Sequence, residues 1–138
     1  MRAQRLRVSG MTLIELLCVI SIIGILAAIS YPMFIEQSAK GRRASARALM
    51  YQVLQNEERY YTGNNTYTTD LTALGLANPL QTDQGSHAVT LAIGPTGDLT
   101  TSVSITGTAI VPDALCTSMT LTSANAQSGT GSNPTVCW

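Results

Sequence analysis

The residues best suited to chemistry in this chain are a glycine, a methionine and a glutamate near its start. Gly10 is followed by Met11, and Glu15 stands at the leading edge of twenty uncharged residues, Leu16 to Ile35. Because glycine has no side chain, another molecule can approach the backbone closely at Gly10. A carboxylate in hydrocarbon costs about 2.5–3.5 kcal/mol unless it finds a partner. The uncharged run and the position of Glu15 therefore indicate an acid at the edge of a membrane span that needs a partner.

The apolar run is long enough to be a membrane-spanning helix. Twenty residues at about 1.5 Å of helical rise each cover about 30 Å, the hydrocarbon thickness of a bilayer. The leader before it carries Arg2, Arg5 and Arg7 and no acid, as expected of a short cytoplasmic segment. In a secretory signal the apolar run precedes the cleavage site and is lost, whereas here it follows Gly10 and is kept. A plain membrane anchor and an uncleaved signal-anchor also explain the length, but neither explains Glu15.

These features carry a family resemblance. The stretch from Gly10 to Leu16, GMTLIEL, resembles the prepilin processing site of type IV pilins and type II secretion pseudopilins, with Met11 where the family usually has Phe. The resemblance implies cleavage after Gly10 by a membrane aspartyl peptidase, the prepilin peptidase, which also methylates the new amine of Met11. It further implies that Glu15 acts in filament assembly, where it can meet the amine of another subunit.

Two residues interrupt the predicted membrane helix, Gly24 and Pro32. Proline lacks the amide that would bond the carbonyl of Ala28, and its ring crowds that carbonyl, so Pro32 kinks or loosens the helix. In the pilins that this chain resembles, the glycine-to-proline stretch can bend and melt locally on packing into a filament. A proline simply tolerated in a membrane helix is the alternative.

The helical pattern continues past the apolar run. Apolar and aromatic side chains, with Glu57 among them, recur at three- and four-residue spacing from Ala46 to Tyr61. Gly63 and the two asparagines after it predict the end of the helix, since both residue types tolerate the left-handed conformation that closes helices. We therefore predict one helix from about Met11 to Thr62, whose second half is amphipathic and needs a partner surface.

Strand signals occupy the last third of the chain. Residues 87–93 and 99–105 alternate on either side of the turn cluster Gly94–Asp98, which predicts an antiparallel hairpin. A third run surrounds Met119, and a short fourth strand is predicted near Val136. A sheet with one apolar face can cover the apolar stripe of a helix. The predicted fold class is therefore α+β, a long N-terminal helix packed on a small antiparallel sheet.

The chain divides into three predicted parts. Residues 1–10 form the leader, residues 11–38 the transmembrane and filament-core helix, and residues 39–138 the globular head. The resemblance implies the type IV pilin fold for this arrangement.

The three cysteines divide between the membrane span and the head. Cys116 and Cys137 lie in the part that faces the periplasm and later the exterior, an oxidising setting in which two thiols are expected to pair. Closing this loop stabilises the head by about 3 kcal/mol in the chain-entropy description. It also ties down residues 125–134, which are too rich in Ser, Gly and Asn to become ordered by burial. Cys18, in the span, is predicted to be a small apolar filler.

The carboxy-terminal half extends the resemblance. A cysteine pair around a variable loop, the ending Cys137-Trp138 and the run from Glu58 to Tyr61 are similar to a group of minor pilins from Gram-negative bacteria. Pseudopilins commonly lack such a bridge and bind calcium near the carboxy terminus, where Asp113 is the nearest acid in this chain. The minor pilin is therefore favoured over the pseudopilin.

No residue pattern indicates catalysis, a cofactor or a metal. His87 is the single histidine and has no cysteine or acid nearby at ligand spacing. Without the leader, five basic and eight acidic side chains leave a net charge of −3, which disfavours bulk nucleic-acid binding. The basic run from Lys40 to Arg47 lies just outside the span, where lipid headgroups or neighbouring acids are better partners than DNA.

The sequence thus predicts a structural protein rather than an enzyme. It is expected to be a pilin, minor rather than major, of a type IV pilus used in adhesion, twitching motility or DNA uptake. The precursor is expected to be single-pass in the inner membrane, and the assembly machinery of that membrane moves it from the lipid bilayer into an extracellular filament with other pilin subunits. A DNA-binding uptake pilin and a type II secretion pseudopilin are the alternatives.

Overall fold

The computed structural model describes residues 11–138, so the leader and Gly10 lie outside the described residues. One α-helix, α1 (Leu13–Asn64), precedes a five-stranded antiparallel sheet and two short 3-10 helices. The described residues divide into two compact units, with the boundary between Gln37 and Ser38. This architecture confirms the predicted α+β class.

The sheet is a meander in which neighbouring strands follow each other in the chain. Its strands are β1 (Leu80–Gln81), β2 (His87–Ile93), β3 (Val103–Ala109), β4 (Ser118–Thr122) and β5 (Gln127–Thr130). The 3-10 helices are η1 (Leu71–Leu74), before β1, and η2 (Pro134–Cys137), after β5. The longest ladder joins β2 to β3, from His87 opposite Ala109 to Ile93 opposite Val103.

The end of α1 follows the predicted stop signal with a small shift. Asn65 has a φ of 52°, and its amide donates to the carbonyl of Tyr61 over 2.8 Å. Asparagine tolerates this left-handed conformation better than most residues with a side chain. The helix therefore continues through Gly63 and closes at Asn65.

The core of the head lies between the second half of α1 and one face of the sheet. Its fully buried apolar residues come from both layers, from α1 (Ala46, Met50, Val53), from β3 (Ile105) and from β4 (Met119, Leu121). Their spacing follows the helix and strand periods that predicted the two faces. At Gly107 of β3 an added Cβ would lie 2.9 Å from the Met50 sulfur. Glycine here lets α1 approach the sheet closely.

Strand β3 begins at Val103, four residues later than predicted. Asp98 folds the preceding residues into a turn, in which its carboxylate accepts the Thr100 amide (2.8 Å) and its carbonyl accepts the Ser102 amide (2.9 Å). Such local hydrogen bonds compete with a strand ladder. Residues 99–102 therefore stay outside the sheet.

The prediction of a strand near Val136 is wrong. Val136 lies in η2, which begins at Pro134, a residue with a fixed φ and no amide to donate to a ladder. The edge strand beside β4 is β5 instead, whose residues are polar and mostly exposed. A strand without an apolar face gives no alternating signal, and the two residues of β1 are too few for a period.

Candidate assembly site

The first unit presents a continuous apolar surface. All sixteen large apolar side chains between Met11 and Ile35 are exposed, and this part of α1 is long and apolar enough to cross a membrane. The Ser21 hydroxyl donates to the Leu17 carbonyl over 2.8 Å, so this polar group is satisfied within the helix. An exposed apolar surface of this extent marks a membrane or protein interaction site.

Glu15 forms part of a cap at the start of α1. The Glu15 amide donates to the Thr12 hydroxyl (3.3 Å), and the Thr12 amide donates to Oε2 of Glu15 (3.5 Å). This reciprocal pair is a capping box, which supplies partners to amides that a helix start leaves unbonded. Its Thr-x-x-Glu signature is visible in the sequence. Glu15 is exposed, so a second partner can reach its carboxylate.

Both predicted interruptions lie within α1. Pro32 is inside the helix, and a Cβ added at Gly24 would meet no other atom within 4 Å. Contacts within the described chain therefore do not require glycine at position 24. Bending at Gly24 and Pro32 remains a prediction about packing into a filament.

A buried ion pair joins α1 to the loop after β3. Arg43 donates to Asp113 twice, from Nε to Oδ2 over 2.6 Å and from Nη2 to Oδ1 over 2.8 Å, and the two side chains are only 3% and 5% exposed. Oδ1 also accepts the amides of Leu115 and Cys116. Hydrogen bonding to the Arg43 guanidinium holds the pKa of Asp113 below its ordinary value of 3.8. The loop that carries Cys116 is thereby fixed to α1.

The predicted disulfide between Cys116 and Cys137 is confirmed, with a Cα–Cα distance of 5.4 Å. Both cysteines are buried, and a Cβ added at Gly129 of β5 would lie 2.6 Å from the Cys137 sulfur. The indole of Trp138 donates to the carbonyl of Ser128 over 2.7 Å. These contacts hold the carboxy-terminal tail on the sheet edge. Cys18 is a free thiol.

His87 is a core residue at the start of β2. Its Nδ1 lies 3.2 Å from the Ser86 hydroxyl, and its buried Nε2 has no hydrogen-bond partner. Burial lowers the pKa of His87, which favours the neutral ring. Within residues 11–138 no group of three or more His, Cys, Asp or Glu side chains could hold a metal ion.

The cations of the head all lie on α1. Residues 38–138 contain five, which are Lys40, Arg42, Arg43, Arg47 and Arg59. Arg43 is committed to the buried pair with Asp113, and Arg42 donates to the hydroxyl of Ser38 over 2.9 Å. An anion that binds the positively charged side chains of the head must therefore bind beside α1.

The apolar amino-terminal helix, the antiparallel sheet packed on its second half and the bridged tail define a type IV pilin fold. A family profile described as "Type IV minor pilin ComP, DNA uptake sequence receptor" matches residues 32–120, and one described as "Prokaryotic N-terminal methylation motif" matches residues 5–31. The first match alone covers more than half of the chain. The chain therefore belongs to the ComP family of type IV minor pilins.

Individual relatives are pilins too. The fimbrial protein EcpC of Eikenella corrodens is 34% identical over 100 residues, which are 72% of this chain and 65% of the relative. The type IV major pilin PilA of Myxococcus xanthus is 32% identical over 62% of this chain and 38% of its own length. The type IV major pilin PilE1 of Neisseria gonorrhoeae is 32% identical over 56% of this chain and 47% of its own length. The matches thus span 38–65% of the length of these relatives.

Proposed function

We propose that this protein is a structural minor subunit of a type IV pilus, held in the inner membrane by α1 and then moved into the extracellular filament. The observation that carries the proposal is the exposed apolar surface of residues 11–35 in a chain that bears the methylation motif. Lipid covers such a surface before assembly, and the helices of other pilin subunits cover it afterwards. The role is structural, with no chemical step at the head.

Maturation forms part of the same proposal. Prepilin peptidase removes residues 1–10 and methylates the amine of Met11, after which the assembly machinery of the inner membrane extracts the subunit. The new amine lies four residues before Glu15, close enough in sequence that neighbouring staggered subunits can pair the two charges. Pairing in a low dielectric helps to set the register of docking, although desolvation offsets part of the gain.

Glu15→Leu should leave membrane insertion and processing intact but lower the amount of the protein in filaments by about tenfold or more. Tenfold corresponds to about 1.4 kcal/mol of lost docking free energy. The measurement is the protein content of membrane and sheared-pilus fractions, with mass spectrometry to check the cleaved and methylated terminus.

The capping box supplies matched controls for this experiment. Glu15→Gln keeps an oxygen that can accept the Thr12 amide and removes the charge, so we expect it to behave like Glu15→Leu. Thr12→Ala removes the cap and keeps the charge, so we expect near-normal incorporation. If Glu15→Gln entered filaments normally while Thr12→Ala did not, Glu15 would act through the helix cap and the assembly role would be wrong.

A second role, capture of DNA, is favoured by the profile that matches residues 32–120 and describes a DNA uptake sequence receptor. We propose that the head contacts DNA beside α1, where its cations lie. The head has five cations and Arg43 is bonded to Asp113, so side-chain charge can supply at most four phosphate contacts. Recognition must then rely on polar and shape contacts more than on charge, because few counterions can be released.

Binding of duplex DNA by the full chain in detergent micelles should therefore depend only moderately on salt. Four phosphate contacts give a slope of log K against log salt no steeper than about −3.6. Arg59 is exposed, so Arg59→Gln should make this slope less steep by about 0.9. Asp83→Asn serves as the control on an exposed acid. Absence of binding at about 50 mM salt would remove the DNA role and leave the filament role untouched.

A further inference from the structure

A fully buried acid lies in the second half of α1, away from the apolar assembly surface. Glu57 is 0% exposed, its Oε2 accepts the amide of Thr68 over 3.1 Å, and its Oε1 has no hydrogen-bond partner. A buried carboxylate with one hydrogen bond is costly when charged and less costly when protonated. Burial accordingly raises the pKa of Glu57 from 4.5 to about 7, partly opposed by the Thr68 amide and reinforced by the charge of Glu58.

Residues Thr66–Asp70 join the end of α1 to η1 and contact Glu57 through the Thr68 amide. We name this segment the clasp. Besides the hydrogen bond that the Thr68 amide donates to Glu57, the segment is held by Tyr67, whose ring stacks on Tyr61 with 4.6 Å between centroids. The Tyr67 amide also donates to the carbonyl of Leu99 over 2.9 Å. The residues of the clasp are half-buried or exposed, so releasing it uncovers little of the apolar core.

The other ionisable groups around Glu57 do not neutralise a charge on it. Glu58, next along α1, carries the same sign and accepts the Tyr67 hydroxyl over 3.0 Å. Asp70 in the clasp and Asp98 in the turn that contacts it each accept hydrogen bonds from a nearby threonine. Arg59 is exposed on α1. An ionised Glu57 can therefore gain stabilisation chiefly from water.

We propose that the clasp is a proton-operated latch, closed on α1 while Glu57 carries a proton and opened to water when Glu57 ionises. Opening releases the Thr68 amide and hydrates both carboxylate oxygens, while the strands of the sheet remain folded. Acidification therefore tightens the head at the end of α1. The latch is independent of filament docking and of DNA capture.

Hydrogen exchange measures the opening directly, and proton linkage predicts that opening increases as the pH rises. In the closed clasp the pKa of Glu57 is about 7, whereas the pKa of an open, hydrated Glu57 returns to its ordinary value of 4.5. The equilibrium constant for opening of the clasp therefore rises about tenfold per pH unit between these two pKa values and levels off above the higher one. In the full chain in micelles, we expect protection of the Thr66–Asp70 peptide to fall about 40-fold from pH 5 to pH 7, after correction for intrinsic exchange rates.

Two variants and an internal reference separate the latch from general loosening. Glu57→Gln should give clasp protection that does not change with pH, whereas Glu58→Gln should keep the fall. A peptide from β3 should change far less than the clasp in the wild-type protein. An equal fall in β3, a fall that persists in Glu57→Gln, or no fall in the wild type would each overturn the proposal.

A measurement on the unmodified chain covers the case in which Glu57→Gln does not fold. The carbon-13 signal of the Glu57 carboxyl should titrate near pH 7 in the wild-type protein. Titration near pH 4.5 would overturn the latch whatever the exchange data show.

Discussion

Asp113→Ala should lower the free energy of unfolding of the head by about 3–5 kcal/mol, the range for removing one partner of a buried ion pair. The Arg43 guanidinium would remain buried without its carboxylate, and the amides of Leu115 and Cys116 would lose their acceptor. Asp113→Asn should cost less, because its side-chain oxygen can still accept those two amides.

Urea unfolding of the full chain in detergent micelles, followed by tryptophan fluorescence, measures this loss. Trp138 is the only tryptophan and lies 6.4 Å from the ring of Tyr51, so its emission reports on the head. Asp83→Asn is the matched control at an exposed aspartate. Arg43→Met combined with Asp113→Asn should recover part of the loss, since both charges of the buried ion pair are then removed together. An Asp113→Ala variant within about 0.5 kcal/mol of the Asp83→Asn control would refute the stabilising role, because surface substitutions usually fall within that range.

The same ion pair should make the head sensitive to acid. The pKa of Asp113 is lower in the folded state than its ordinary value of 3.8. The contribution of Asp113 to the stability of the head is therefore fully present above pH 3.8. It is lost as the pH falls through the lower pKa of the folded state. The difference in stability between the wild type and Asp113→Asn should shrink in that acidic range.

Replacing both Cys116 and Cys137 with alanine should lower the stability of the head by about 3 kcal/mol. The bridge closes a loop between positions separated by 21 residues, and this loop contains β5, an edge strand with little apolar surface of its own. Loss of the bridge should loosen β5 and η2 more than β2 and β3. The same urea titration gives the overall loss, and hydrogen exchange of peptides from β5 shows where it falls.

Cys18→Ala provides the control for the disulfide variant. It removes the free thiol outside the head, so the unfolding of the head should be unchanged. Comparable stability of the double variant and Cys18→Ala would mean that packing alone holds the tail. A free-thiol assay on the native wild type should label Cys18 and spare the other two cysteines.

The features that the sequence alone determined are those that depend on residues close to one another in the chain. The uncharged run from Leu16 to Ile35 predicts its exposed apolar surface, and the alternation of residues 87–93 predicts β2 with its observed bounds. The stop of α1 was predictable because asparagine tolerates the left-handed conformation wherever it occurs. The capping box of Thr12 and Glu15 was equally readable, since both partners lie within one helical turn.

The charges inside the head were decided only by tertiary structure. Arg43 falls among the polar positions of α1, and its partner Asp113 lies 70 residues away. Glu57 occupies the apolar stripe of α1, but the sequence could not show that its carboxyl would be fully buried with one hydrogen bond. Local patterns state which residues share a face. Desolvation and pairing depend on the segments that pack onto that face, so the raised pKa of Glu57 and the lowered pKa of Asp113 are properties of the assembled fold.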